Sequence, residues 1–115
     1  MIASACEFVV GLLTSTGINA QHDPRNLNLP GAWVTPGEVE LTRLDPQVGD
    51  VDVLVALIAP DAGGLDSLRI LDDLLAKAIA AGIGATSWEP GTVQLENHGA
   101  GGLPALIATT TITVP

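Results

Sequence analysis

The chain has 115 residues, 47% of them apolar, with 13 acidic side chains against four basic ones and a formal net charge of -9. That length suits a single domain over residues 1–115 which buries roughly two-thirds of the surface its unfolded form exposes, so no metal or disulfide is required to hold it. The charge argues against an anionic membrane or a phosphate backbone as a tightly held partner; the lone Cys6 excludes an internal disulfide, and the longest unbroken apolar run, Val53 to Ala59, is far too short to span a bilayer.

Ser4-Ala5-Cys6-Glu7 has the spacing of a capping box and predicts the start of a helix. Ala5, Phe8, Val9, Leu12, Leu13 and Thr16 then recur on one helical face, and Gly17 can take the left-handed conformation that ends it. No basic segment precedes these apolar residues and Glu7 interrupts them, so they do not read as an export signal; the expectation is a soluble, unexported protein. Gln21 to Pro30, with Asp23-Pro24 and the following Pro30-Gly31, reads as a loop, and Ala32 to Thr35 as a short strand. From Glu38 the pattern has period two: Val39 and Leu41 on one side, Glu38, Glu40 and Thr42 on the other.

Asp45-Pro46-Gln47-Val48-Gly49 is turn chemistry. A hairpin about it places Val39 and Leu41 with Val51, Val53, Val55 and Leu57, and gathers Glu38, Glu40, Asp50 and Asp52 on the opposite face. Along the second strand that opposite face turns apolar at Leu54, Ala56 and Ile58, as a strand covered on both sides would. The next helix, Leu65 to Ala81, carries Leu68, Ile70, Leu71, Leu74, Leu75, Ala78 and Ile79 around about half its circumference, with Asp66, Arg69, Asp73 and Lys77 as a charged stripe. Gly82 and Gly84 end it, Trp88 falls in a loop or short strand, and Thr92 to Glu96 alternates weakly as a strand. After the glycine-rich loop Asn97 to Gly102, a closing strand alternates Leu106, Ala108, Thr110, Ile112 and Val114 with Ile107, Thr109, Thr111 and Thr113. The sum is an α+β fold: a mainly antiparallel sheet of about five or six strands with two helices packed on one face. Two helices cover one face only, so this apolar patch must meet a loop or another protomer, and Leu54, Ala56 and Ile58 are the protomer-interface candidates.

The chemistry-bearing residues point away from catalysis. Ala62-Gly63-Gly64 lies between strand and helix, but it lacks the lysine and hydroxyl of a phosphate loop, and Asp61 and Asp66 would repel a phosphate. Cys6 has no neighbouring cation to favour a thiolate, and His22 and His98 lack ligand spacing. Trp33 and Trp88 read as packing residues. The strongest polar constellation is Glu38, Glu40, Asp50 and Asp52, which has no calcium-type ligand loop; a solvated face, or an acidic lining past which a polyanion slides without sticking, suits it better than a metal site. No catalytic, metal or cofactor site is expected.

In element order, size and texture the chain resembles the tail terminator proteins of long-tailed, siphovirus-type bacteriophages, particularly those infecting actinobacteria. The features that carry the likeness are the first helix, Asn-Leu-Pro-Gly-Ala-Trp-Val at 28–34, the acidic hairpin, the run Val51 to Pro60, the Leu65 to Ala81 helix and Pro104-Ala105-Leu106 in the last strand. The resemblance implies a non-enzymatic virion protein that works at the tail-neck junction and is assembled in the host cytoplasm. It further implies a homohexameric ring that caps the tail tube protein and meets the head-side neck protein, with DNA passing through unbound and no membrane or cofactor involved. On that reading Glu38, Glu40, Asp50 and Asp52 line an acidic lumen, and Asp45, Gln47, Asn97 and His98 are partner-contact candidates in their two loops. The alternatives are a neighbouring neck or head-completion (connector) protein of the same phage, and a small acidic metal- or ligand-binding domain.

Overall fold

The structure, a computed structural model, describes residues 2–23, 27–41, 49–60, 64–85, 87–94 and 102–114. Along the chain these form α1 (Ile2–Ser15), β1 (Ala20–Gln21), β2 (Gly31–Leu41), β3 (Gly49–Ile58), α2 (Gly64–Ala81), β4 (Glu89–Val93) and β5 (Leu103–Val114). The strands make one five-stranded sheet in the order β1-β2-β3-β5-β4. Every ladder is antiparallel except β1 with β2, which is parallel. The expected α+β architecture is the one observed.

Both helices lie on one face of the sheet. Ala5, Cys6, Val9 and Leu13 of α1 and Leu71, Leu74 and Ala78 of α2 share a core with Val51, Val53, Val55 and Leu57, the alternate residues of β3. These four β3 side chains are fully buried, and each stabilises the fold by about 1.5–3 kcal/mol relative to exposure. The first helix begins earlier than its capping residues suggest: Ser4 stands inside the first turn, and no acidic residue does. Packing outweighs capping here, because Ala5 and Cys6 are buried and the turn that carries them must be helical. Its end follows expectation, with Gly17 at φ 91°. The Ile18 amide donates to the Leu13 carbonyl at 3.2 Å and the Gly17 amide to Thr14 at 3.0 Å, a Schellman closure sealed by buried Ile18.

Two departures come from backbone geometry. Ala20–Gln21 pairs with Ala32 and Trp33 as β1, although the sequence pattern begins a loop at Gln21 and gives Ala20 no element; two residues are too few to show a period. The pairing depends on Gly31, where a Cβ would lie 2.6 Å from the carbonyl oxygens of both Asn19 and Asn28. Those carbonyls are held in place, one by the Ala32 amide at 3.0 Å and the other by the Asn19 side-chain amide at 3.1 Å.

The second departure is that the two short strands expected on either side of Pro36-Gly37 are one continuous β2, with a register shift between Pro36 and Val39. The same residues run as a regular strand with no bulge would send Val34 and Val39 to opposite faces, since they are an odd number of positions apart. With the bulge, Val34 pairs with Val55 and Val39 with Val51, so both sit over the helical core. Glu40 pairs with Asp50 and is exposed.

The C-terminal half holds smaller adjustments. The Ser67 hydroxyl, in the first turn of α2, donates to the Pro60 carbonyl at 3.3 Å and ties the helix to the end of β3. Gly82 and Gly84, at φ 69° and 84°, turn the chain out of α2. The fourth strand starts at Glu89, ahead of the expected Thr92, because it pairs with Leu103–Ile107 at the start of a longer β5. Thr110 faces the helical side, and its buried hydroxyl donates to the Ile83 carbonyl.

Candidate functional site

The face of the sheet away from the helices divides along the strands. At one end Trp33, Ala56, Ile107 and Glu89 occupy paired positions across β2, β3, β5 and β4. In the next row Ile58 pairs with Gly31 and Ala105. Leu27, Leu29, Leu103 and Val93 close over this end as a second apolar cluster.

Two of the three protomer-interface candidates therefore need correction. Ile58 is fully enclosed within the single chain and Ala56 is 8% exposed, because the segment carrying Leu27 and Leu29 folds back over them. Leu54 is half-buried, flanked by Thr35 and Thr109. Of the two covers left open by the sequence, a loop or another protomer, the loop is the one found for Ala56 and Ile58; it is polar in composition apart from these two leucines, so patterning did not single it out. The Trp33 indole nitrogen is buried beside this cluster, with no hydrogen-bond acceptor among the described residues.

The other end of the same face is acidic. Asp50 pairs with Glu40 on one side and Thr113 on the other, and Asp52 with Thr111. The Thr113 hydroxyl donates to Asp50 Oδ1 at 2.7 Å, and the Thr111 hydroxyl to Asp52 Oδ1 at 2.8 Å. These bonds fix the two carboxylates on a rigid ladder at charge-assisted hydrogen-bond lengths. Glu38 is exposed and lies in the bulge opposite Asp52. Three of the four acidic candidates thus occupy regular ladder positions on one face, and the fourth sits at the irregularity beside them.

The threonines are the hydrogen-bonding members of this cluster that sequence reasoning left out. Alternation marked Thr109, Thr111 and Thr113 as one side of a strand, yet only the β3–β5 register shows that they lie against the aspartates. The described cations, Arg69 and Lys77, are both on α2, where they face Asp66 at 3.8 Å and Asp73 at 3.2 Å. Among the described residues the acidic end carries no positive group; Arg43, between β2 and β3 along the chain, lies outside them. No group of three or more potential metal ligands occurs among the described residues.

Cys6 lies on the buried face of α1, and burial raises its thiol pKa, so the neutral form is favoured. His22 is exposed. Asp45, Gln47, Asn97 and His98 lie outside the described residues. No helix is long and apolar enough to cross a membrane among the described residues.

Surplus apolar surface is present, but on the helices. Leu65, Leu68 and Ile79 of α2 are 67%, 54% and 67% exposed, and Phe8 of α1 is 55% exposed. Sequence periodicity placed Phe8 on the apolar face of the first helix and Leu68 and Ile79 in an α2 arc about half the circumference wide, more than one small domain hides easily. Only the middle of each apolar arc reaches the sheet, and no further layer covers the flanks among the described residues. Compared with known proteins, the chain matches no protein-family model and no curated relative.

Proposed function

We propose that the chain is a ring-forming structural protein of a long-tailed bacteriophage, a tail terminator that caps the tail tube and joins it to the head-side neck. The acidic end of the uncovered sheet face supports this reading most directly. Glu40, Asp50 and Asp52 stand in ladder register with Thr111 and Thr113. A passage for DNA needs a stiff wall that presents negative charge and hydroxyls and offers no cation to a phosphate. In a ring, this face lines the hole, and the DNA passes without specific binding.

The protein acts through shape and charge, with no enzymatic step and no cofactor. Its partners are further copies of itself, most simply six in a ring, the tail tube protein and the head-side neck protein. The resemblance in element order supplies the phage context, and the exposed apolar flanks of the helices supply surface for assembly.

Electron microscopy of the purified protein, alone and mixed with tail tubes, tests the reading. The expected result is rings with a central hole seated on tube ends. Binding to portal-bearing capsids in place of tube ends would move the protein to a neighbouring neck position. A monomer indifferent to both would sink the structural reading altogether.

A further inference from the structure

At the acidic end the central strands outrun the two edge strands. β4 pairs with β5 only from Leu103 to Ile107, and β1 pairs with β2 only at Ala32 and Trp33. The Ala59 amide donates to the Pro104 carbonyl, so even-numbered residues of β5 turn their main-chain groups toward β3 and odd-numbered ones turn theirs to the other edge. The amides and carbonyls of Thr109, Thr111 and Thr113 therefore have no partner among the described residues. Two hollows follow this bare length. One of about 440 Å³ is lined by Ser4, Phe8, Thr111, Ile112 and Thr113, and one of about 270 Å³ by Ser87, Glu89, Ile107, Ala108 and Thr109.

A bare strand edge invites pairing with another chain, and proteins guard such edges with proline, charge or a bulge. The outer edges of β2 and β4 are guarded in this way. The Ala32 amide donates outward to Asn19, so alternation also turns Pro36 outward, with no amide to offer, and the bulge follows at once. Pro90 stands on the outer edge of β4 by the same alternation. The β5 edge has none of these devices: Thr109 to Thr113 contains no proline and no charge, and its ladder to β3 runs without a register shift.

We propose that two copies of this chain pair along this edge, β5 antiparallel to β5 about a two-fold axis at Thr111. Thr111 then faces its own counterpart and Thr109 faces Thr113, each pair exchanging two main-chain hydrogen bonds. The shape of the sheet selects this partner. β2 and β5 run in the same direction, both antiparallel to β3, and Trp33 and Glu89 stand in one row. Setting the β2 of a like-oriented neighbour on β5 would drive the first half of that β2 into β4. The two-fold arrangement instead sets bare half against bare half, each β4 lying beyond the end of the other copy's strand. On the acidic face the facing side chains are threonines, which pair favourably across strands. Asp50 and Asp52 stand one strand back, so the carboxylates of the two copies are roughly 14 Å apart across three strand spacings, beyond the screening length of about 8 Å at physiological salt. On the helical face Ile112 of each copy is brought to the Phe8 hollow of the other. A strand added in the plane of the sheet leaves the acidic face open. The contact stands apart from the ring reading, which needs a head-to-tail interface, and describes the protein away from the tube.

Sedimentation equilibrium of the parent, Thr111→Pro and Thr109→Pro, with amide hydrogen exchange of the parent, tests the contact. Each proline replaces an amide that points away from β3, so circular dichroism should show the fold kept. The paired length is short, which puts the interface among the weak ones of under about 1,200 Å² in total. The parent should therefore pass from protomer to dimer as its concentration rises toward ~1 mM, and either proline should weaken the dimer at least about tenfold. Over the same range the amides of Thr109, Thr111 and Thr113 should become protected, a readout that decides alone if a proline variant unfolds. A parent still a protomer at ~1 mM, a dimer whose three amides exchange freely, or folded proline variants that pair like the parent would each overturn the contact. Amides protected only when tail tubes are added would also overturn it, giving the edge to a strand of the tube protein. Rings on tube ends formed by a protein without edge pairing would remove this contact and leave the ring reading standing.

Discussion

Gly37 lies directly against Asp52 across the β2–β3 ladder: a Cβ at Gly37 would come within 3.3 Å of both the Asp52 Cβ and its carbonyl oxygen. The bulge that returns Val39 to the core is thus seated on the residue whose carboxylate accepts from Thr111. Gly37→Ala should cost about 1 kcal/mol, since the neighbour must yield a few tenths of an ångström. Deleting Gly37 takes out the one extra residue and leaves Val34 and Val39 an even number of positions apart, so Val39 stays paired with Val51 over the core and the deletion should cost no more than about 1 kcal/mol. Urea unfolding of the two variants checks both, and a deletion that costs several kcal/mol would mean that the ladder needs the bulge itself.

The enclosure of Ile58 separates two substitutions that sequence patterning treats alike. Ile58→Asp places a carboxylate where the side chain is fully buried, and should unfold the protein at a cost above about 4 kcal/mol. Leu54→Asp, at a half-buried position between Thr35 and Thr109, should cost about 1 kcal/mol and leave a folded chain. Thermal melts followed by circular dichroism decide it. A folded Ile58→Asp protein would show that the cover from Leu27 and Leu29 is loose.

Most of the frame was legible in residue patterns because it obeys simple periods. The run from Val51 to Leu57 announces a buried strand, Gly17 and Gly82 mark helix ends, and Asp50 and Asp52 fall on the face opposite the valines. What stayed hidden depends on distant partners. The two leucines that cover Ile58 come from a segment with no period, and the hydroxyls held by Asp50 and Asp52 come from residues 63 and 59 positions away. Apolar periodicity also overstates burial: it shows that Leu68 and Leu71 lie on one side of α2, but not how wide a strip of that side the sheet can reach.

Cys6 gives a pH-dependent readout of the core. Its pKa is raised in the folded state by burial, so the unfolded thiol, at about 8.5, ionises first as pH rises. The unfolded state then binds fewer protons than the native state, and stability falls with pH. The stabilising term is fully present below about pH 8.5 and is lost as pH climbs through the raised native value. Cys6→Ala should flatten this limb of the stability profile. At pH 8 the native thiol should also react with iodoacetamide at least about tenfold more slowly than the thiol of the urea-unfolded chain. Equal rates would place Cys6 in contact with solvent.

The acidic face can be tested apart from assembly by reversing its charge. Glu40→Lys, Asp50→Lys and Asp52→Lys each raise the formal charge of -9 by two units. Two of them also forfeit an exposed threonine hydrogen bond, at a cost of about 1 kcal/mol each. The parent should leave duplex DNA unretarded in a gel at about 0.15 M salt, because none of the described groups on this face neutralises a phosphate. The triple variant should retard DNA, with log affinity falling linearly in log salt by about 0.9 for each phosphate contacted. If the parent itself bound DNA with that salt slope, the acidic face could not be the wall of a passage; the attraction would have to come from cations elsewhere on the chain, strong enough to overcome it.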